Sequence, residues 1–190
     1  MKFELDQFIA DCQKAVREDP SHKMVREIVA RAVSDKKQVL DALGEPTEGG
    51  LTSLYRSSEL TILNLVWAPN MYLMPHNHNL WAVIGIYTGR EDNIFWRRVG
   101  AHPENIEAAG AKSLSAGDAC PLGQDIIHSV INPIPRLTAA IHVYGGDFFG
   151  VERSEWDPEK LCECASSGDK MAKRFEEANE RWRAAVVSNQ

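Results

Sequence analysis

Apolar residues recur at helical spacing through the first forty residues. Phe3, Leu5, Phe8, Ile9, Cys12, Ala15 and Val16 form one stripe, which Asp19-Pro20 interrupts. Ser21 is placed to cap a second helix that buries Met24, Val25, Ile28, Val29, Ala32 and Val33. Leu43-Gly44-Glu45-Pro46 ends the helical region and Thr47 to Gly50 is loop. His22, in the turn between the helices, reads as a surface residue.

From Leu51 the period shortens. Leu54 to Arg56 and Leu60 to Trp67 read as strands around a tight turn, and Ala68-Pro69-Asn70 is another turn. Met71 to His78 and Trp81 to Thr88 follow, the latter too apolar for a strand with one wet face. Gly89-Arg90-Glu91-Asp92-Asn93 is expected to turn the chain, and Ile94 to Val99 to return it. His102 falls beside Pro103 in an expected polar loop, and Lys112 to Leu114 leads to the turn before Ala119. Ile126 to Ile131 and Leu137 to Tyr144 are the last strands. Many short strands with Gly and Pro turns fit a closed antiparallel sandwich.

The last forty residues are helical again. Asp157-Pro158 is expected to start a helix, and Met171, Phe175, Ala178 and Trp182 line one face of it. That stripe packs either on the barrel or on a second subunit as a homodimer contact. Cys162 and Cys164 are expected in helix, and two cysteines alone cannot close a zinc site.

Composition narrows the partners. The 190 residues carry a net charge of −6 without a basic cluster, which argues against nucleic acid. No apolar run is long enough for a membrane span, and the charged N-terminus lacks a signal-peptide core, so a cytoplasmic location is expected. The four cysteines lack the spacing of a disulfide framework.

The chemistry concentrates in three histidines. His76 and His78 are two apart, so in a strand both project from one face. His128 lies fifty residues on, after Gly117, Pro121 and Gly123 and before Asn132. Converging neutral imidazoles suit a transition metal, and the ligands alone do not choose among iron, zinc, copper and nickel.

The two stretches resemble the two metal motifs of the cupin superfamily. His76, His78 and Gly89 match the first, and Gly117, Pro121, Gly123, His128 and Asn132 match the second. The resemblance covers roughly residues 50 to 150. It implies an all-β core, a cupin double-stranded β-helix (a jelly-roll-like barrel) with N-terminal helices and a C-terminal helix. A single domain over 1–190 is expected, with helices in 1–46, the barrel in 50–150 and the last helix in 157–187. The usual cupin glutamate ligand is missing, since Val83 and its neighbours are apolar.

Three histidines without an acid resemble the cysteine dioxygenase-like thiol dioxygenases. That likeness implies Fe(2+) on His76, His78 and His128, with Zn(2+) or Ni(2+) as substitutes in purified protein. A small thiol and O2 would be the substrates and a sulfinate the product. It further implies a non-ligating pair, His142 and Tyr144, facing the pocket, with Tyr144 as hydrogen-bond donor. An arginine would hold a substrate carboxylate: Arg56 is the nearest match, with Arg97 and Arg98 as alternatives. The sequence departs from the family at Ala140, where a serine is usual, and at Ala82, where the animal enzymes carry a crosslinked cysteine. A three-histidine cupin acting on a diketone or other small acid is an alternative. So is a cupin that binds metal or a small molecule without catalysis.

Overall fold

Three strands carry apolar residues on both faces, and the fold follows from what covers each face. A computed structural model describes residues 3–100 and 102–188. Three helices come first: α1 (Leu5–Glu18), α2 (Lys23–Val33) and α3 (Lys36–Leu43). Nine strands follow: β1 (Gly50–Arg56), β2 (Thr61–Trp67), β3 (Tyr72–Asn77), β4 (Ala82–Thr88), β5 (Arg90–Val99), β6 (His102–Ser115), β7 (Ala119–Leu122), β8 (Ile127–Ile131) and β9 (Thr138–Tyr144). A small hairpin of β10 (Ser154–Trp156) and β11 (Glu163–Ala165) precedes the final helix, α4 (Gly168–Ser188).

The strands form two antiparallel sheets, ordered β1-β2-β9-β4-β7 and β11-β10-β3-β8-β5-β6. Non-consecutive neighbours in both sheets give the interleaved path of a cupin double-stranded β-helix. In the first sheet, Leu63, Leu65, Trp67, Ala82, Ile84, Ile86, Ala140 and Tyr144 belong to the core between the sheets. The alternate residues, Ile62, Val66, Val83, Tyr87, Ala139, Ile141 and Val143, pack instead with Val25, Val29 and Val33 of α2. The N-terminal helices therefore cover the outer face of this sheet. Burying each α2 valine contributes up to about 1.5–3 kcal/mol relative to exposure. This second cover explains why β2, β4 and β9 lack a polar face.

Four expectations are corrected. The second helix breaks at Ser34, because Asp35 accepts from Gln38 N and so caps a new helix. The cap position of α2 falls to His22, one residue beyond Ser21, without a side-chain cap bond. Residues 90–93 are strand rather than turn, and the reversal is made by Gly89 at φ +82°, where a Cβ would lie 2.2 Å from Thr138 Oγ1. The stretch around His102 opens the long β6, paired with Val99 across a tight reversal.

The C-terminal region also starts differently. Asp157 caps a turn, accepting from Glu159 N and Lys160 N, while α4 begins eleven residues later at Gly168. Cys162 and Cys164 are exposed free thiols, and Cys164 lies on the edge hairpin, not in a helix. The apolar stripe of α4 docks on the barrel: Phe175 and Ala178 are buried, and Phe175 stacks on Trp67 with centroids 5.6 Å apart.

Candidate metal centre

Two adjacent strands of the second sheet bring the three histidines together. His76 of β3 is in register with His128 of β8, after an irregularity between Leu73 and His76. Pro75 sits at that irregularity, where its missing N–H does least harm to the ladder. His78 follows just past the end of β3 on the side of His76, and Asn79 turns the chain at φ +53°. All three histidines are buried.

Their proton positions are set from behind. His76 Nδ1 lies 3.0 Å from the Met74 carbonyl, and His128 Nδ1 lies 2.7 Å from Asn93 Oδ1. Each Nδ1 therefore donates, leaving Nε2 with an in-pointing lone pair. The Nε2 of His78 stands 3.2 Å from that of His76 and 3.2 Å from that of His128. A single hydrogen on His78 Nε2 could satisfy only one of those two lone pairs, whereas a cation satisfies all three. Nitrogens about 2.05 Å from one metal are roughly 2.9 Å apart at a right angle and roughly 3.3 Å apart at a tetrahedral one. The observed spacing falls between these values. The three side chains thus fit one metal ion, and among the described residues no carboxylate joins the cluster.

Burial keeps the imidazoles neutral. It lowers His76 to about 4, and pushes His78 and His128 well below the ordinary histidine value. The same cause, desolvation, lowers His142 to about 3.

The first sheet supplies the opposite wall. His142 and Tyr144 of β9 point inward, with His142 Nδ1 3.1 Å from the Tyr144 hydroxyl. The Tyr144 ring packs at 86° against His78, with centroids 5.1 Å apart. Phe148 packs on Tyr144 at 4.3 Å and on His78 at 6.1 Å, and the Arg153 guanidinium carbon lies 3.9 Å above the Phe148 ring centre. A cavity of about 430 Å³ borders Phe148, Arg153, Met171 and Phe175. None of the three histidines lines it.

The arginines picked out from the sequence are engaged elsewhere. Arg56 makes a bidentate pair with Asp147, both bonds 2.8 Å, and lies over Phe149. Arg97 pairs with Glu107, and Arg98 with Glu163, at the surface. The structure directs none of them to the histidines. Arg153, which sequence reasoning missed, is the better placed cation. Its charge bears on the site: it adds to the burial that lowers His76 and His78, and opposes the burial that raises Tyr144. Burial pulls its own pKa down, and no carboxylate is paired with it among the described residues.

Glu91, Asn93 and Trp67 were also missed. Glu91 Oε1 accepts from Asn93 Nδ2 at 2.9 Å and Oε2 from Trp67 Nε1 at 2.8 Å. The available signal was alternation within a charged run: Glu91 and Asn93 are buried, whereas Arg90 and Asp92 between and beside them pair with each other outside. Asn132 of the second motif serves the loop instead, donating to the carbonyls of Trp67, Ala68 and Arg136. His22 stands apart, with its ring 6.5 Å from Trp81. The His102 side chain lies outside the described residues.

No family model matches the chain. Among solved structures it is similar to an RmlC-like cupin family protein with a double-stranded β-helix fold from Methanocaldococcus jannaschii. That match has 10% identity over 55% of this chain and 86% of the other, with a TM-score of 0.46. A protein with a double-stranded β-helix domain from Klebsiella pneumoniae shows 13% identity over 65% and 90% of the two chains, with a TM-score of 0.43. A DMSP lyase from Ruegeria pomeroyi shows 16% identity over 59% and 53%, with a TM-score of 0.46.

Proposed function

We propose that the protein is a non-haem iron oxygenase that converts a small carboxylated thiol to its sulfinate with O2, with His76, His78 and His128 holding Fe(2+). The observation that carries this reading is the convergence of three buried, neutral imidazoles with no carboxylate among the ligating atoms. Such a set leaves the ion's double charge uncompensated by its ligands and so favours anionic substrates. Iron in that setting would supply oxygen activation beside a bound thiolate.

The chain's own residues would do the rest. Arg153 presents a planar fork suited to a carboxylate, and Phe148 holds it from below by stacking. Tyr144 and His142 set the hydrogen bonds on the side facing the first sheet. Phe148 and Tyr144 exclude water by packing against His78. Burial of the whole arrangement strengthens each of these contacts.

Anaerobic purification followed by metal analysis, then oxygen uptake with 3-mercaptopropionate, cysteine and cysteamine, tests the proposal. Iron-dependent uptake with one sulfinate formed per O2 is expected for a carboxylated thiol. An iron-loaded protein that oxidises none of the three would overturn it.

A further inference from the structure

Among the described residues, His142 Nε2 is the one buried side-chain nitrogen or oxygen without a hydrogen-bond partner. It stands 3.8 Å from Glu91 Oε2, too far for a hydrogen bond but close for an electrostatic contact in a dry interior. The other nitrogen, Nδ1, faces the Tyr144 hydroxyl. Which nitrogen carries the hydrogen decides what Tyr144 can offer the metal side.

The surroundings of Glu91 answer this. His128 must donate from Nδ1 to leave Nε2 free for a metal, so Asn93 presents its oxygen to His128 and its amide N–H to Glu91 Oε1. Trp67 has only a donor, which goes to Oε2. Both carboxyl oxygens therefore accept, and these two donated hydrogen bonds favour the carboxylate form against the burial that raises its pKa. An imidazole lone pair aimed at such an oxygen is repelled, and an N–H is attracted.

We infer that Glu91 is a positioning residue that holds His142 as the Nε2–H tautomer. His142 Nδ1 then accepts the Tyr144 hydroxyl hydrogen, and the phenolic oxygen turns a lone pair toward the three histidines. Tyr144 thus receives a hydrogen bond from the molecule bound there, a reversal of the donor role expected from the family likeness. The ligand chemistry this favours is a donor group, such as an ammonium, a thiol or a water, next to the metal. Ala140 offers no hydroxyl to His142, and Glu91 reaches across from the opposite sheet in its place. Through Asn93 the same carboxylate also orients His128.

The inference rests on the metal site and not on the thiol substrate, so its test uses neither O2 nor substrate. Protein labelled with 15N-histidine and supplemented with zinc, which is diamagnetic, is studied by two-bond 1H–15N correlation. His142 is assigned by the signals lost in His142→Gln. A protonated Nε2 and an unprotonated Nδ1 are expected in the wild type. In Glu91→Gln both nitrogens should move toward the average of the two tautomers, while His76 keeps its own pattern. A wild-type His142 protonated at Nδ1 would overturn the inference, as would a Glu91→Gln spectrum with the wild-type tautomer. Should Glu91→Gln fail to fold, the wild-type spectrum alone still decides. Thiol oxidation could fail in every assay and leave this result standing.

Discussion

Asn93 Oδ1 lies 2.7 Å from His128 Nδ1 and fixes which nitrogen of that histidine faces its neighbours. Groups that orient a ligand in this way typically contribute about 10- to 100-fold in metal affinity. Asn93→Ala should weaken metal binding by that factor in a chelator competition, with the fold retained. His128→Ala should empty the site altogether, and His22→Ala should bind as the wild type does. Full occupancy in His128→Ala would remove His128 from the ligand set.

Acid should destabilise the metal-free protein in a definite window. Burial lowers His76 to about 4 and His142 to about 3, and holds His78 and His128 well below the ordinary histidine value. Unfolded, these histidines titrate near their ordinary value, so between roughly pH 6.5 and 4 the unfolded chain binds protons that the folded chain refuses. Stability therefore falls as pH drops through that window, by about 1.4 kcal/mol per pH unit for each such histidine, and is flat above it. Urea unfolding at pH 7.5 and pH 5.5 measures this. A bound metal should shift the loss to lower pH, because protons must then compete with it. Equal stability of the apo protein at both pH values would contradict the burial of these rings.

The sequence made the sandwich legible through strand periodicity, and the three histidines through their spacing. It did not reveal the covering of the first sheet. An apolar β4 is what a strand between two layers needs, but periodicity alone does not say that α2 is the second layer. Residues 90–93 misled for a related reason. Arg-Glu-Asp-Asn has turn composition, yet Glu91 and Asn93 are buried because Trp67 and His128 satisfy them, and neither partner is near in sequence. Arg56 was chosen for its place before the histidines, and Asp147, ninety-one residues later, claims it. Long-range polar pairing of this kind leaves no local pattern.

Gly85 marks how closely α2 approaches the sheet. A Cβ there would sit 2.4 Å from Val29 Cγ1 and 2.9 Å from Val33 Cγ1. Gly85→Ala should cost about 1–3 kcal/mol through overpacking, unless α2 shifts outward. Thermal unfolding measures the loss. Metal binding should persist, because the three histidines belong to the other sheet. Pairing Gly85→Ala with Val29→Ala should recover part of the stability, since the smaller side chain removes the nearest clash. A simple sum of two losses would mean that the contact is not what limits the site.

The assignment of Arg153 makes the sharpest prediction for substrate. Its guanidinium is partly buried, stacked on Phe148 and free of a carboxylate partner among the described residues, whereas Arg56 is already neutralised by Asp147. If Arg153 holds the substrate carboxylate in a desolvated pair, Arg153→Ala should cost roughly 2–5 kcal/mol in kcat/KM for carboxylated thiols. Cysteamine, which has no carboxylate, should lose much less. Arg153→Lys should recover only part of the loss, since a point charge replaces a two-pronged fork. Arg56→Ala should leave the preference between the two substrate types unchanged. Oxygen-electrode kinetics on the three variants and the wild type give all four comparisons. Equal losses on both substrate types in Arg153→Ala would reject it as the carboxylate anchor. A selective loss in Arg56→Ala would return that role to Arg56 and require Asp147 to release it when substrate binds.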